Sequence, residues 1–299
     1  MALNPEHLLS FARVAETGSV STAAETLFRS QPAISQHLRQ LTEAMGEPLY
    51  RRHSGGVTLT DTGLALLPHA QALERALAGA QRLAREVQGL ERGVLAIGAS
   101  MTIAVYLLPR LLSRFHRQQP GLDLQLLTRN STEVLNLLSS GRIDVALVET
   151  PVAQDELPGF EQRTLFTDEV VLAVPPGHPL ASAGSVKPAD LDGCELVVRE
   201  PGSGTRRVME LALAQLGVNV RAAIETSGIE AAKEAILQGL GAGFISRLAV
   251  ERELSSGLLK EVQVDGLSLQ RQLTLLHPPA ELCSRSSRQF LEFLEAVRA

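Results

Sequence analysis

The sequence predicts an α/β chain in three parts: a small helical head carrying two short strands, a long heptad helix, and a two-lobed α/β body. Three observations predict it. Apolar residues recur at helical steps through most of the first 87 positions, interrupted by a β-like stretch around Ser54-Gly55-Gly56. From Thr60 those steps alternate four and three over three heptads. Beyond Arg92, buried-strand runs alternate with helical patterns, as in a parallel-sheet α/β body.

In the head, Asn4 as N-cap and Pro5 at the first helical position open a helix whose Leu8, Phe11, Ala12 and Ala15 face a core. Ser19 to Leu27 reads as a second helix capped by Ser21, with Ala23, Ala24 and Leu27 small enough for close helix approach. A third helix starts with Ser30 as cap and Pro32 in its first turn, and ends at Gly46. Ile34, Leu38, Leu41 and Met45 fall at steps of four, three and four and line one side. The other side carries Gln31, Ser35, Gln36, Arg39 and Glu43, and its first part can hydrogen-bond base edges or phosphates. That is the outline of a DNA-reading helix-turn-helix, although an ordinary helical hairpin explains the apolar stripe equally well.

Pro48 to Thr60 reads as two strands around a Ser54-Gly55-Gly56 turn, a wing that sets Arg51, Arg52 and His53 beside the third helix at phosphate height or in the minor groove. A solvated arginine pair is the alternative. Phe11-Ala-x-Val-Ala-x-x-Gly-Ser19, Ala23-Ala-x-x-Leu27, Ser30-Gln-Pro-Ala-Ile-Ser35 and Leu59-Thr-x-x-Gly63 together resemble the winged helix-turn-helix of bacterial LysR-type transcriptional regulators. The resemblance runs through the whole chain. It implies DNA contacts by Arg29, Ser30, Gln31, Pro32, Ser35, Gln36, Arg39, Arg51, Arg52 and His53, a homotetramer, and action on a neighbouring promoter. Leu41-Thr42 and Tyr50 depart from the family's usual Leu-Glu and Phe, and neither touches the base-reading face.

Charge limits how such a head can work. The 299 residues carry a net charge of −5, and in the first 60 five arginines (13, 29, 39, 51, 52) meet five glutamates (6, 16, 25, 43, 47). The electrostatic footprint is therefore local and calls for paired sites on double-stranded DNA. Cys194 and Cys283 lack metal-ligand spacing and read as two buried free thiols rather than a redox switch. The start Met1-Ala-Leu-Asn-Pro leads into a folded element without an export signal, so a cytoplasmic location is expected. The uncharged run from Gly93 to Pro109 has 17 residues, short of the ~20 a membrane span needs, so no membrane partner is expected.

Leu66, Ala70, Leu73, Leu77, Ala80, Ala84 and Val87 form the heptad seam, on the order of 30 Å long, suited to a homodimer through this linker helix. A single amphipathic helix packed on its own domain is the alternative. Gly89 and Glu91-Arg-Gly93 end the helix. The domains expected are 1–60 for the winged helix-turn-helix, 61–91 for the coiled-coil linker, and 92–299 for an effector-binding domain.

Within the body, 94–98, 122–127, 143–148, 169–174, 195–198, 222–225 and 242–246 read as strands; 105–118, 132–138, 206–216 and 229–237 read as helices. The family resemblance implies a two-lobed body like the type 2 periplasmic binding proteins. Lobe I would take about 92–161 and 267–299, and lobe II about 162–266. The chain would cross near Pro158–Gln162 and Val264–Leu267, with the C-terminal strand and helix returning to lobe I.

In open α/β sheets ligands sit beyond the carboxyl ends of strands, against helix N-termini. Four segments qualify: Ser100-Met101-Thr102; Asn130-Ser131-Thr132 after Arg129; Arg199 to Arg206 with Glu200, Ser203 and Thr205; and Thr226-Ser227. They offer hydroxyls and backbone donors and no evident carboxylate cluster, which favours a small anionic metabolite as effector, although plain helix caps are the alternative for each. Arg199 to Arg206 resembles the segment in LysR-type regulators of carbon fixation and sulfur assimilation, implying a phosphorylated metabolite or a small inorganic oxyanion.

No enzyme and no cofactor is read from the chain. Pro201-Gly-Ser-Gly-Thr205 lacks the Gly-Lys-Ser/Thr of a phosphate loop, Gly239-Leu-Gly-Ala-Gly243 has the wrong glycine spacing for a dinucleotide turn, and the seven histidines are scattered. A stand-alone solute-binding protein is the rival reading, and it leaves the head unexplained.

Overall fold

The structure is a computed structural model that describes residues 3–53, 55–87, 93–149, 152 and 157–298. Ser54 of the wing turn, the side chain of Val87, and Gly89, Glu91 and Arg92 at the linker's end lie outside the described residues. Two compact units form, 1–91 with 136–142, and 92–135 with 143–299.

The first unit opens with three helices, α1 (Pro5–Thr17), α2 (Val20–Thr26) and α3 (Gln31–Met45). Each start has its own side-chain cap. Asn4 Oδ1 accepts from Glu6 N at 2.9 Å, Ser19 Oγ from Thr22 N at 3.3 Å, and Ser30 Oγ from Ala33 N at 3.3 Å. The α2 cap is thus Ser19, and Ser21 lies inside the helix: an N-cap needs extended backbone, which Ser19 has (φ −145°, ψ 128°). Phe11, Val14, Ala23, Ile34, Leu38, Leu41 and Leu49 form the core, with Leu8 and Met45 packed on its rim. β1 (Tyr50–His53) and β2 (Gly56–Leu59) pair antiparallel, Arg52 opposite Val57. α4 (Asp61–Val87) follows. The heptad seam divides along it: Leu66 and Ala70 are buried in the head's own core, whereas Leu77 is 44% exposed and Ala80 and Ala84 are exposed.

In the second unit β3 (Val94–Ser100) leads through a π-helical turn (Ile103–Leu107) into α5 (Leu108–Gln118), then β4 (Asp123–Arg129), α6 (Ser131–Ser139) and β5 (Val145–Glu149). β3 is parallel to both β4 and β5. Next come β6 (Glu161–Val174), β7 (Ser185–Val186), β8 (Glu195–Arg199), α7 (Gly204–Gln215), β9 (Arg221–Thr226), α8 (Ile229–Leu237), β10 (Gly243–Ser246) and α9 (Arg247–Ser255). β11 (Lys260–Val264), β12 (Leu269–His277) and α10 (Arg285–Arg298) close the chain. The main sheet runs β4-β3-β5-β12-β6-β11-β7, with β10 also on β6, while β8 and β9 pair in parallel.

β6 and β12 join the lobes. They run antiparallel from Leu269 opposite Val170 to His277 opposite Glu161, with a register shift at Leu273/Thr274. The far half of β12 pairs with β5, and the far half of β6 pairs with β10 and β11. Both connections therefore run as paired strands, β6 starting at Glu161 and β12 at Leu269. Physically, two long strands satisfy each other's backbone groups where a buried loop would leave them open.

Alternation along β6 splits lobe II into two apolar layers. Val170, Leu172 and Val174 pack with Leu196, Met209 and Leu213, and Val171 and Ala173 pack with Ile229, Ile236 and Val250. Lobe I is built on Leu95, Ile97, Leu108 and Phe115, which the C-terminal helix covers; Phe115 and Phe290 meet edge-on at 5.1 Å. Cys283 is buried there, but Cys194 is half-buried, because it precedes β8 in a turn where its Sγ donates to Asp190 O at 3.4 Å. Among the described residues no helix is long and apolar enough to cross a membrane, and no group of His, Cys, Asp and Glu is placed to hold a metal.

Candidate functional site

Two regions collect the chemistry. In the head, α3 buries Ile34, Leu38 and Leu41 and thereby turns Gln31, Pro32, Gln36 and Arg39 to solvent, with Ser35 half-buried. Arg52 of the wing donates to Ser35 Oγ at 3.3 Å and lies 5.8 Å from the Tyr50 ring centre. Together Ser35, Arg39, Thr42, Tyr50 and Arg52 line a shallow groove between helix and wing. Arg51 and His53 are exposed and alternate to the other face of the ribbon, and His53 Nδ1 accepts from Gly55 N at 3.1 Å. Arg29 is half exposed and 3.6 Å from Glu6.

In the body, the four segments at strand ends converge between the lobes. Glu149 stands at the end of β5, and a Cβ on Gly204 would lie 2.8 Å from its carbonyl oxygen, so only glycine lets the start of α7 approach it. A Cβ on Gly202 would lie 3.2 Å from the Asn130 amide, and one on Gly228 would lie 3.7 Å from the Met101 methyl. Asn130 itself caps α6 through Glu133 N at 2.9 Å. Thr132 and Ser227 are exposed, and Thr226 bonds back to Val198 O at 3.5 Å.

Arg199 and Glu200 form a two-bond pair, 2.7 and 2.8 Å, and Glu200 also accepts from Gly228 N at 3.3 Å. Burial raises the Glu200 pKa, but the Arg199 bonds outweigh it and the net shift is downward. Arg199 is thus no free anion anchor. The Ser203 side chain makes no cap bond to α7, and Ser100 Oγ is buried beside Glu149 without a fully formed hydrogen bond.

The floor of the cleft holds residues that the sequence reading missed. Arg271 of β12 donates to Asp168 Oδ2 at 2.7 Å, to Thr205 Oγ1 at 2.8 Å and to Thr102 Oγ1 at 3.4 Å, and lies 3.9 Å from Glu149. Ser246 donates to Asp168 and Ser131 to Glu149, each at 2.9 Å. The expectation of no carboxylate cluster is therefore corrected: two buried carboxylates share one arginine. Burial alone would raise the Glu149 pKa, yet Arg271 and the surrounding hydroxyls bring it below the ordinary value. The signal was present in strand phase, since Arg271 shares a strand face with Leu269 and Leu273, and Asp168 with Val170 and Leu172.

The LysR substrate-binding domain model matches residues 88–299, and the bacterial regulatory helix-turn-helix model of the lysR family matches residues 5–64. The chain belongs to the LysR family. Among its relatives, the RuBisCO operon transcriptional regulator of Allochromatium vinosum is 31% identical over 300 residues, covering 100% of this chain and 98% of that one. The HTH-type transcriptional activator CmpR of Synechocystis sp. is 31% identical over 286 residues, covering 96% and 93%. Among solved structures, the CcmR regulatory domain of Synechocystis PCC6803 in complex with 2-PG superposes with a TM-score of 0.64 at 25% identity, covering 69% of this chain and 97% of that one.

This LysR-family protein is a transcriptional regulator with an effector-binding domain. Arg271 joins Thr102, Thr205, Asp168 and Glu149, and a further tie lies elsewhere in the body: Lys233 of α8 donates to Tyr106 at 2.9 Å and pairs with Glu253 at 3.2 Å.

Proposed function

We propose that this LysR-family regulator binds double-stranded DNA at two-fold-related sites through paired heads, and that a small anionic metabolite in the inter-lobe cleft changes promoter activity. The observation that carries the effector reading is the gathering of Ser100, Ser131 and Thr205 around Glu149 and Arg271 at strand ends, with Ser203 buried at the start of α7. The floor carries two carboxylates against one arginine. The anion's charge is therefore met by the N-terminal N–H groups of α7 and by hydroxyls, not by a spare cation. The names of the relatives and the 2-PG bound to CcmR favour a phosphorylated or carboxylated metabolite of carbon fixation.

The remaining assignments share this reading. DNA is met by Arg29, Ser30, Gln31, Pro32, Ser35, Gln36, Arg39, Arg51, Arg52 and His53. The exposed half of the seam, Leu77 to Ala84, joins two chains into a homodimer, and two dimers make a homotetramer in the cytoplasm. Domain limits of 1–60, 61–91 and 92–299 suit these roles, and no catalytic role is assigned. Because the relatives are regulators, the stand-alone solute-binding reading is set aside.

Two measurements test the proposal. Thermal shifts of the full-length protein against sugar phosphates, sulfur and nitrogen oxyanions and small carboxylates should show stabilisation by one anionic class. A gel shift on its promoter fragment should show sequence preference, and its absence at every salt and ligand condition would sink the regulator mechanism.

A further inference from the structure

Helix α2 closes with a pair of crossed bonds: Phe28 N–H donates to Glu25 O at 3.1 Å and Arg29 N–H to Ala24 O at 2.9 Å. This closure requires the residue after the cap to be left-handed. The chain makes the same demand at the ends of α1 and α3, and there it places Gly18 (φ 63°) and Gly46 (φ 78°). At the third place it puts Phe28 (φ 51°), the only non-glycine residue with positive φ among those described. A bulky side chain is disfavoured in that region, where glycine or asparagine fits.

Packing does not offset the strain. The Phe28 side chain is 96% exposed, the highest value among the large hydrophobic residues described. A strained backbone and a solvated phenyl ring are therefore both sustained with no gain inside the chain. Strain of this kind points toward a role at a binding surface. The place is specific: Phe28 comes directly before Arg29 and the Ser30 cap, at the end of α3 that turns Gln31 and Pro32 to solvent.

We propose that the Phe28 ring docks on the deoxyribose wall of the groove that α3 enters, an apolar contact that positions the head beside the phosphate met by Arg29. This rests on the DNA-face reading above. DNA is favoured over a protein partner because both neighbours of the ring in the turn region, Arg29 and the positive dipole end of α3 with its exposed Gln31, suit phosphate. The contact displaces no counterion and reads no base edge.

The test compares Phe28→Asn and Phe28→Tyr with the unaltered full-length protein on two duplexes: the tightest one that the unaltered protein selects from a random pool, and an unrelated sequence. Asparagine accepts the left-handed backbone, so its melting temperature should equal or exceed the parent's. Its affinity should fall about tenfold on both duplexes, the factor for losing burial of about half a phenyl ring. The slope of log affinity against log salt should stay unchanged, because no charge is removed. Phe28→Tyr should keep affinity within about twofold. Equal affinity for Phe28→Asn and its parent overturns the proposal while leaving the DNA face intact. So does normal binding with lost promoter activation, which would assign the ring to a protein surface. If the unaltered protein selects no duplex, the DNA-face reading fails first and takes this contact with it.

Discussion

Arg271→Met removes the one cation that two buried carboxylates share, and its cost can be worked from the contacts. The Arg271 side chain is 1% exposed, Asp168 1% and Glu149 4%. Methionine fills a similar stem volume without charge, so the change acts on electrostatics more than on packing. Breaking a buried pair from one side costs about 3–5 kcal/mol, since the partner charge is left unpaired. At roughly 2–4 °C per kcal/mol for a domain of this size, the body should melt about 6–20 °C lower. Circular dichroism of the full-length protein is the suitable readout, because the chain contains no tryptophan.

The pH dependence gives a second and sharper criterion. Glu149 has a folded pKa below the ordinary glutamate value. It therefore contributes stability that is present above the unfolded pKa and lost as pH falls through the folded one. Without Arg271, burial dominates and raises the folded pKa above the unfolded value. The variant then loses stability as pH rises through that range. The gap between parent and variant should be widest near neutral pH and narrow on acidification. A loss under about 1 kcal/mol, or a gap constant between about pH 5 and 8, would refute the shared-cation account.

Further outcomes follow from the same geometry. Ser100→Ala deletes a buried hydroxyl without a full hydrogen bond, so stability should change by less than about 0.5 kcal/mol while the effector-induced thermal shift falls; a retained shift would remove Ser100 from the site. Thr205→Ala deprives Arg271 of an acceptor and should cost about 1–3 kcal/mol and weaken the ligand response, with DNA affinity of the free protein nearly intact in a gel shift. Removing both Arg51 and Arg52 should lower the slope of log affinity against log salt by roughly two per head, and an unchanged slope would retire their phosphate contacts. Burial raises both thiol pKa values, with Asp190 and Asp192 adding to it at Cys194 and Glu161 at Cys283. Mildly alkaline alkylation should therefore be slow at Cys194 and slower at buried Cys283, as peptide mapping can measure; rapid labelling of either would overturn that order.

What was legible in the sequence was local. Asn4, Ser30, Pro32 and Gly46 announced helix ends because capping involves residues within one turn, and Ile34, Leu38 and Leu41 announced a buried face because periodicity is a property of one element. The cleft floor was not legible in that way. Arg271 and Asp168 each stand in phase with an apolar strand face, which marks them as buried charges; that they are each other's partners follows only once β6 and β12 are known to pair antiparallel across some hundred residues of chain. The heptad seam shows the opposite failure. Its spacing is uniform from Leu66 to Ala84, yet Leu66 and Ala70 are consumed by the head's own core and only the later positions stay open. A periodic pattern specifies that a face will be covered and is silent on what covers it. Phe28 breaks a local rule that Gly18 and Gly46 obey. Where one residue contradicts a rule its own chain keeps elsewhere, a compensating term outside the chain is the natural place to look, and in the head the surface beside Phe28 is the one proposed to meet DNA.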